Sequence, residues 1–139
     1  MCDDRKRVTE QNRGKYIRAT TVIAPRGIVA CVWIYEGLWC KLLSGCSSHA
    51  AIIRSLPALI ASVADRVLFA LGTGEVALGL WILSGRTPRA AFWAQAILLV
   101  IMNGGGLIWG RHAIADPTSM VIHNVVLLAL AWTIADAGT

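Results

Sequence analysis

Apolar residues are concentrated in four stretches of the chain, which polar connections separate. Each stretch is close to the roughly 20 residues that an α-helix needs to cross the hydrocarbon core of a bilayer. Because the backbone finds no water to bond inside lipid, segments that span it form helices. The pattern therefore predicts four transmembrane helices, at about residues 27–43, 63–83, 90–110 and 118–135.

The connections are rich in turn-forming residues, among them Pro57, Gly85, Pro88 and Pro117. Brief links of this kind place consecutive helices antiparallel. The predicted fold class is all-α: an integral membrane four-helix bundle with up-down-up-down topology. The expected organisation is a basic tail at 1–26, a transmembrane domain at 27–135 and a short tail at 136–139.

Composition excludes an ordinary soluble domain. Hydrophobic residues make up 56% of the 139 residues and charged residues only 15%. That leaves too few charges to coat the exterior of a soluble four-helix bundle. The lipid bilayer is therefore the expected partner of most of the chain.

The positive charge is unevenly distributed. Seven of the 13 Lys and Arg residues precede Gly27, and the connection between the second and third stretches adds Arg86 and Arg89. Basic residues beside an apolar segment are a topology signal, so we expect both termini in the cytoplasm. The basic tail is then explained by anionic lipid, and we predict no nucleic-acid binding.

Of the four cysteines, only one pair is suitably placed for a disulfide. Cys31 and Cys40 are nine residues apart on one predicted helix, which separates them by roughly 13 Å of rise. Cys40 and Cys46 both lie near the outer end of the first helix, where an oxidising compartment would permit a bond. Small buried apolar thiols are the default interpretation, and the sequence leaves the disulfide open.

Polar residues inside the apolar stretches are the most informative about function. Glu36 and Glu75 fall near mid-membrane, and Asn103, His123 and Asn124 fall in the outer halves of the last two helices. An ionised group at the bilayer centre costs on the order of 3 kcal/mol, so such residues usually turn inward and pair. We predict one shared pocket, although residues of this kind also serve simply to lock helices together by hydrogen bonds.

Two facing carboxylates would not both ionise without a cation, which makes proton exchange at Glu36 and Glu75 a hypothesis. On an ideal helix Lys41 lies about 140° around from Glu36, so we expect Lys41 to extend outward. We assign it to an outer rim with Asp65 and Arg66.

The sequence contains no complete catalytic motif, so the catalytic residues are left unassigned. His123 has no second histidine at helical ligand spacing, and we predict no metal site. Gly104-Gly105-Gly106 lies inside an apolar stretch and lacks the spacing of a nucleotide-binding loop.

Several short segments together resemble the DoxX-like family of small bacterial membrane proteins, over about Val32 to Trp132. The segments are Tyr35-Glu36-Gly37-Leu38-Trp39-Cys40-Lys41-Leu42-Leu43, Trp81-Ile82-Leu83-Ser84-Gly85 with Pro88-Arg89, Gln95, and Met102-Asn103 before Gly105-Gly106-Leu107.

The resemblance implies a four-helix bundle in the bacterial cytoplasmic (inner) membrane. The broader superfamily includes a membrane subunit of thiosulfate:quinone oxidoreductase, and relatives occur with redox partners. It therefore implies a redox-associated subunit rather than a self-sufficient enzyme, with a quinone as cofactor and an oxidoreductase as partner. A homo-oligomer is also plausible, because four helices are few to enclose a large cofactor. The family-like positions are Glu36, Lys41, Glu75, Gln95, Asn103 and Asn124.

Two other functions remain open. One is a structural or partner-binding membrane subunit without catalytic activity, in which the polar residues only hold the bundle together. The other is a small proton-coupled carrier, which would need the internal repeats typical of alternating access, and the two halves of the chain show no clear self-similarity.

Overall fold

The computed structural model describes residues 23–137, and most of the predicted basic tail lies outside the described residues. Every regular element in this range is helical. The elements are α1 (Ile23–Leu42), α2 (Ser47–Arg54), α3 (Ala58–Ala61), α4 (Ala64–Ser84), α5 (Pro88–Trp109), a 3-10 turn (Arg111–Ala113) and α6 (Pro117–Ala137).

All four predicted apolar stretches are helical, with corrections at the ends of the chain. Helix α1 is already helical at Ile23, four residues before the predicted helix start at Gly27. Helix α6 continues to Ala137, because the single polar residue Asp136 does not interrupt a helix. Pro88 and Pro117 begin α5 and α6, where their missing N–H groups leave no intrahelical bond unmade.

Helices α4, α5 and α6 are each long and apolar enough to cross a membrane. Helices α1 and α2 meet that condition only together, as a pair bent by 72°, so residues 23–137 contain three spans, or four if the bent pair is one. Large apolar side chains such as Phe69, Val100 and Ile108 are mostly exposed, as on helices that face lipid. The chain is a multi-pass membrane protein, and all regular secondary structure in residues 23–137 is helical.

The four long helices share one apolar core. Its buried side chains come from α1, α4, α5 and α6, so that each helix turns one stripe inward. They are Val29, Ala30, Trp33, Leu78, Ile82, Ala91, Leu99 and Ile134.

Helices α1 and α4 cross unusually closely, because glycines meet at the crossing. A Cβ atom added to Gly37 would lie 2.5 Å from the carbonyl oxygen of Gly72, and one added to Gly72 would lie 2.9 Å from the carbonyl oxygen of Gly37. Neither position can therefore carry a side chain without moving a backbone. Small residues of this kind allow transmembrane helices to approach to backbone contact.

The last two turns of α1, Tyr35–Leu42, form a π-helix. Its wider winding continues into the C-cap, where the Leu43 N–H donates to the Leu38 carbonyl five residues earlier at 2.9 Å. In this geometry residues five apart lie closer together around the helix axis than they would in an α-helix. The π-helix therefore brings Glu36 and Lys41 to the same side.

The connection between α1 and α4 was predicted as a turn-rich link, and in the structure it contains α2 and α3. Helix α2 folds back across the bundle, so that Ile52 packs against the backbone of α5 at Gly110. Ser55 Oγ also lies 3.3 Å from Nε2 of His112 in the 3-10 turn. The link thus covers the end of the bundle at which α1 finishes and α4 begins.

Candidate functional site

A buried ion pair joins α1 to α4 beside the glycine crossing. Lys41 Nζ lies 2.8 Å from Glu75 Oε2, and the two side chains are only 2% and 1% exposed. Space for the lysine stem comes from Gly72, where an added Cβ would lie 3.0 Å from Lys41 Cβ. Transferring two such charges out of water is costly, and close pairing offsets that cost.

The prediction that Lys41 extends outward to a rim was wrong. The α-helical angle used for that prediction does not apply, because Lys41 lies in the π-helix, five residues after Glu36. Lys41 Nζ consequently lies 3.8 Å from Glu36 Oε2 as well as close to Glu75. One ammonium group therefore lies between two carboxylates.

The outward side of this ion pair carries a second group of reactive side chains. Glu36 is 40% exposed, and its Oε2 lies 3.6 Å from Nε2 of His49 on α2. Cys40 and Cys46 form a disulfide, with Cα atoms 4.5 Å apart, which ties the end of α1 to the start of α2. Of the alternatives that the sequence left open, the structure adopts the disulfide. We call these residues the Glu36 cluster: Glu36, Cys40, Lys41, Cys46, His49 and Glu75.

The remaining predicted rim residues are exposed and do not contact this cluster. Asp65 Oδ1 lies 3.7 Å from Nη2 of Arg54, and both side chains are largely in solvent. Arg66 is also exposed. Surface pairs of this kind contribute little to stability.

Gln95 is buried on α5 and is engaged by its neighbours. The Trp33 Nε1–H donates to Gln95 Oε1 at 2.9 Å, and Gln95 Nε2 donates to the Ala91 carbonyl at 3.1 Å. These bonds join α1 to α5 through a buried amide. Gln95 therefore serves the packing of the bundle in this structure.

The other predicted pocket residues form two further groups. Asn124 Nδ2 donates to Asn103 Oδ1 at 2.8 Å, which links α6 to α5. His123 is exposed, and its Nδ1 lies 2.7 Å from the carbonyl oxygen of Ser119 on the same helix. Among the six predicted residues, Asn103 and Asn124 are bonded directly and Glu36 and Glu75 meet through Lys41, whereas Gln95 and His123 bond to residues outside the six.

An open and shallow apolar surface, called the groove below, follows one face of α1 and ends at the Glu36 cluster. All of its lining residues lie on α1, and Glu36 is the carboxylate among them. Tyr35 lies beside Glu36 at the same end, and the other lining residues are apolar or small. The lining residues are Ile23, Ala24, Gly27, Ile28, Cys31, Val32, Tyr35 and Glu36.

Sequence reasoning did not connect His49 or the disulfide to Glu36. His49 lies in the connection between the first two predicted helices, and α2 carries it back over the end of α1. The available signal was the spacing of Glu36, Cys40, Cys46 and His49 within one 14-residue segment. Its significance depends on the bend between α1 and α2, which composition does not indicate.

Helices of this length and hydropathy, packed around buried polar pairs, define a polytopic membrane protein. A family model described as the DoxX-like family matches residues 30–132, which is well over half of the chain. The chain belongs to the DoxX-like family, as its short motifs suggested. Neither the curated proteins nor the solved structures include a significant match to it.

Proposed function

We propose that this DoxX-like protein is a redox-associated, quinone-linked membrane subunit that works with an oxidoreductase partner. The observation that carries the proposal is that the apolar groove along α1 ends at the carboxylate of Glu36. A membrane quinone has the matching form, with a long apolar tail and one polar ring. The rest of the groove offers the apolar lining that ligand sites use for most of their contact area.

The polar end of the groove supplies groups that suit quinone chemistry. Reduction of a quinone consumes two electrons and two protons. Glu36 is half-exposed at the groove, and Lys41 and Glu75 lie directly behind it, so three ionisable groups in contact are available to carry a proton toward the ring. The Tyr35 phenol is a further donor at the same end.

The electrons would come from the partner, because the chain contains no nucleotide-binding glycine motif of its own. In this scheme the protein is an accessory subunit. It presents quinone in the bilayer to a protein that carries the electron-donating cofactor.

We further propose four spans in a bacterial inner membrane, with both termini in the cytoplasm. The basic residues before Gly27 and in the α4–α5 connection support this orientation through the positive-inside rule. It places Cys40 and Cys46 at the opposite face, where an oxidising compartment would maintain their disulfide. A homo-oligomer in which a second copy covers α1 would close the groove.

A structural or partner-binding subunit is the second candidate. It is favoured by the local satisfaction of the other polar groups: Gln95 with Trp33, and Asn103 with Asn124. Pairs of this kind hold membrane bundles together without any ligand. Under this alternative the groove would hold only bulk lipid.

Extraction and mass spectrometry of the protein purified in mild detergent test the proposal. An added Cβ at Gly27 in the groove meets no atom of the described residues within 4 Å, and neither does one at Gly74 on α4. Gly27→Leu therefore places a bulky side chain in the groove, and Gly74→Leu is a matched control.

We expect a near-stoichiometric quinone in the wild type and in Gly74→Leu, with marked loss in Gly27→Leu and in Glu36→Gln. A quinone content equal to that of an unrelated membrane protein purified in parallel would refute the quinone link. That result would favour the structural alternative.

A further inference from the structure

We propose that reduction of the Cys40–Cys46 disulfide creates a binding site for a zinc-like divalent cation, with Glu36, Cys40, Cys46 and His49 as ligands. The inference does not depend on quinone binding. It departs from the sequence prediction of no metal site.

Three of the four ligand atoms are already close together. A carboxylate oxygen of Glu36, Sγ of Cys40 and a ring nitrogen of His49 all lie within 4.8 Å of one another. Zinc binds these donors at about 2.0–2.3 Å, which places neighbouring ligand atoms of a tetrahedral site roughly 3.3–3.8 Å apart. The 3.6 Å between Glu36 Oε2 and His49 Nε2 already falls in that range.

The fourth ligand is the other half of the disulfide. Cys46 is held 4.5 Å from Cys40, measured between Cα atoms, so reduction leaves two thiols side by side. Residues Ser44–Cys46 have no regular secondary structure. That segment can therefore adjust to place both sulfur atoms around one ion.

The redox and proton balance is simple. A dithiol reductant transfers two electrons to the disulfide and becomes a disulfide itself, while Cys40 and Cys46 gain two protons as thiols. Binding of a divalent cation to both thiolates then releases those two protons. Two positive charges replace two protons, so the total charge of the Glu36 cluster is the same before and after binding.

Constant charge matters because this cluster lies partly out of water. An unbalanced charge would carry a large desolvation cost in such a place. The existing cation does not compete with the metal either, because Lys41 lies closer to Glu75, at 2.8 Å, than to Glu36, at 3.8 Å. Glu36 is therefore the carboxylate left to bind a second cation.

The donor set selects the class of metal. Two thiolates, one imidazole and one carboxylate suit zinc and similar borderline-soft ions, whereas magnesium and calcium prefer oxygen donors alone. The side chains of Glu36 and His49 are 40% and 24% exposed, so a metal ion can reach the proposed site from solvent. The disulfide and the metal are mutually exclusive, so oxidation of the thiols would release the ion.

The test compares one protein in two redox states. The Cys2→Ser, Cys31→Ser background leaves Cys40 and Cys46 as the only cysteines. This protein, in detergent micelles, is reduced, freed of reductant under anaerobic conditions, and titrated with Zn²⁺, with an untreated sample in parallel. Bound metal is counted by elemental analysis after gel filtration, and Co²⁺ spectra report thiolate ligation.

We expect one Zn²⁺ per reduced chain, no Zn²⁺ on the oxidised chain, and Co²⁺ bands that indicate thiolate and tetrahedral ligation. Loss of even an outer residue that hydrogen-bonds to a metal ligand commonly lowers metal affinity 10–100-fold. Because Glu36, Cys46 and His49 are proposed as direct ligands, Cys46→Ser, His49→Gln and Glu36→Gln should each lower Zn²⁺ affinity by about tenfold or more. His112→Gln, outside the cluster, should retain full affinity. Equal Zn²⁺ uptake by both redox states, or no uptake by either, would overturn the proposal without involving any variant.

Discussion

Lys41 Nζ and Glu75 Oε2 lie 2.8 Å apart in the interior of the bundle, where both side chains are almost completely buried. The pair joins the π-helical end of α1 to the middle of α4, immediately beside the contact between Gly37 and Gly72. Because each charge is neutralised chiefly by the other, removal of one leaves the other buried without its partner.

Replacing Lys41 alone should destabilise the protein strongly. Lys41→Met leaves Glu75 as a buried carboxylate without its cation, and breaking a buried pair in this way costs about 3–5 kcal/mol. The Lys41→Met, Glu75→Leu double variant removes both charges and should recover most of that loss. Unfolding free energies in mixed micelles provide the measurement.

The exposed pair Arg54 and Asp65 provides the control. Its atoms are 3.7 Å apart and both side chains lie largely in solvent, so Arg54→Gln should change stability by less than about 1 kcal/mol. Additive losses in the Lys41 and Glu75 variants would show that the two charges are not coupled.

The long helices and the ion pair differ in how far sequence alone could predict them. Uncharged apolar stretches that follow Pro88 and Pro117 define α5 and α6 with little ambiguity, since length and helix-start signals agree. Lys41 was misplaced because its direction depends on the change from α- to π-helical winding at Tyr35. No local pattern in the sequence indicates that change.

The contact between His49 and Glu36 was missed for a related reason. His49 meets Glu36 only because the chain turns by 72° between α1 and α2. Such a turn is decided by tertiary contacts, among them the packing of Ile52 against Gly110. The sequence reveals the residue types, but the fold is needed to bring them together.

The crossing of α1 and α4 should tolerate no added methyl group at Gly37. In Gly37→Ala the new Cβ would meet the Gly72 carbonyl oxygen at 2.5 Å, so one backbone must move, at a cost of roughly 1–3 kcal/mol. Gly74→Ala adds the same methyl group to open space and should be neutral or stabilising by up to about 1 kcal/mol. Thermal unfolding of the two variants in one detergent separates them, and equal melting temperatures would contradict the close crossing.

The Asn103 and Asn124 hydrogen bond should show a modest coupling energy between α5 and α6. Interhelical bonds in membrane proteins average about 0.6 kcal/mol and reach roughly 1.7 kcal/mol, because the unfolded chain also finds partners in the membrane. The double-mutant cycle of Asn103→Ala and Asn124→Ala should fall within that range. A coupling near zero would mean that the two amides bond independently to other groups.

The proposed orientation is tested by labelling cysteines at the two faces of the membrane. In the Cys2→Ser, Cys31→Ser background, Ser62→Cys at the end of α3 and Ser84→Cys at the end of α4 occupy exposed positions at opposite ends of the α4 span. With both termini in the cytoplasm, a membrane-impermeant maleimide should label Ser62→Cys in intact bacteria and Ser84→Cys only after lysis. The reverse pattern would place the basic tail outside, against the positive-inside rule. It would also place the Cys40–Cys46 disulfide in the reducing cytoplasm, where such bonds rarely persist.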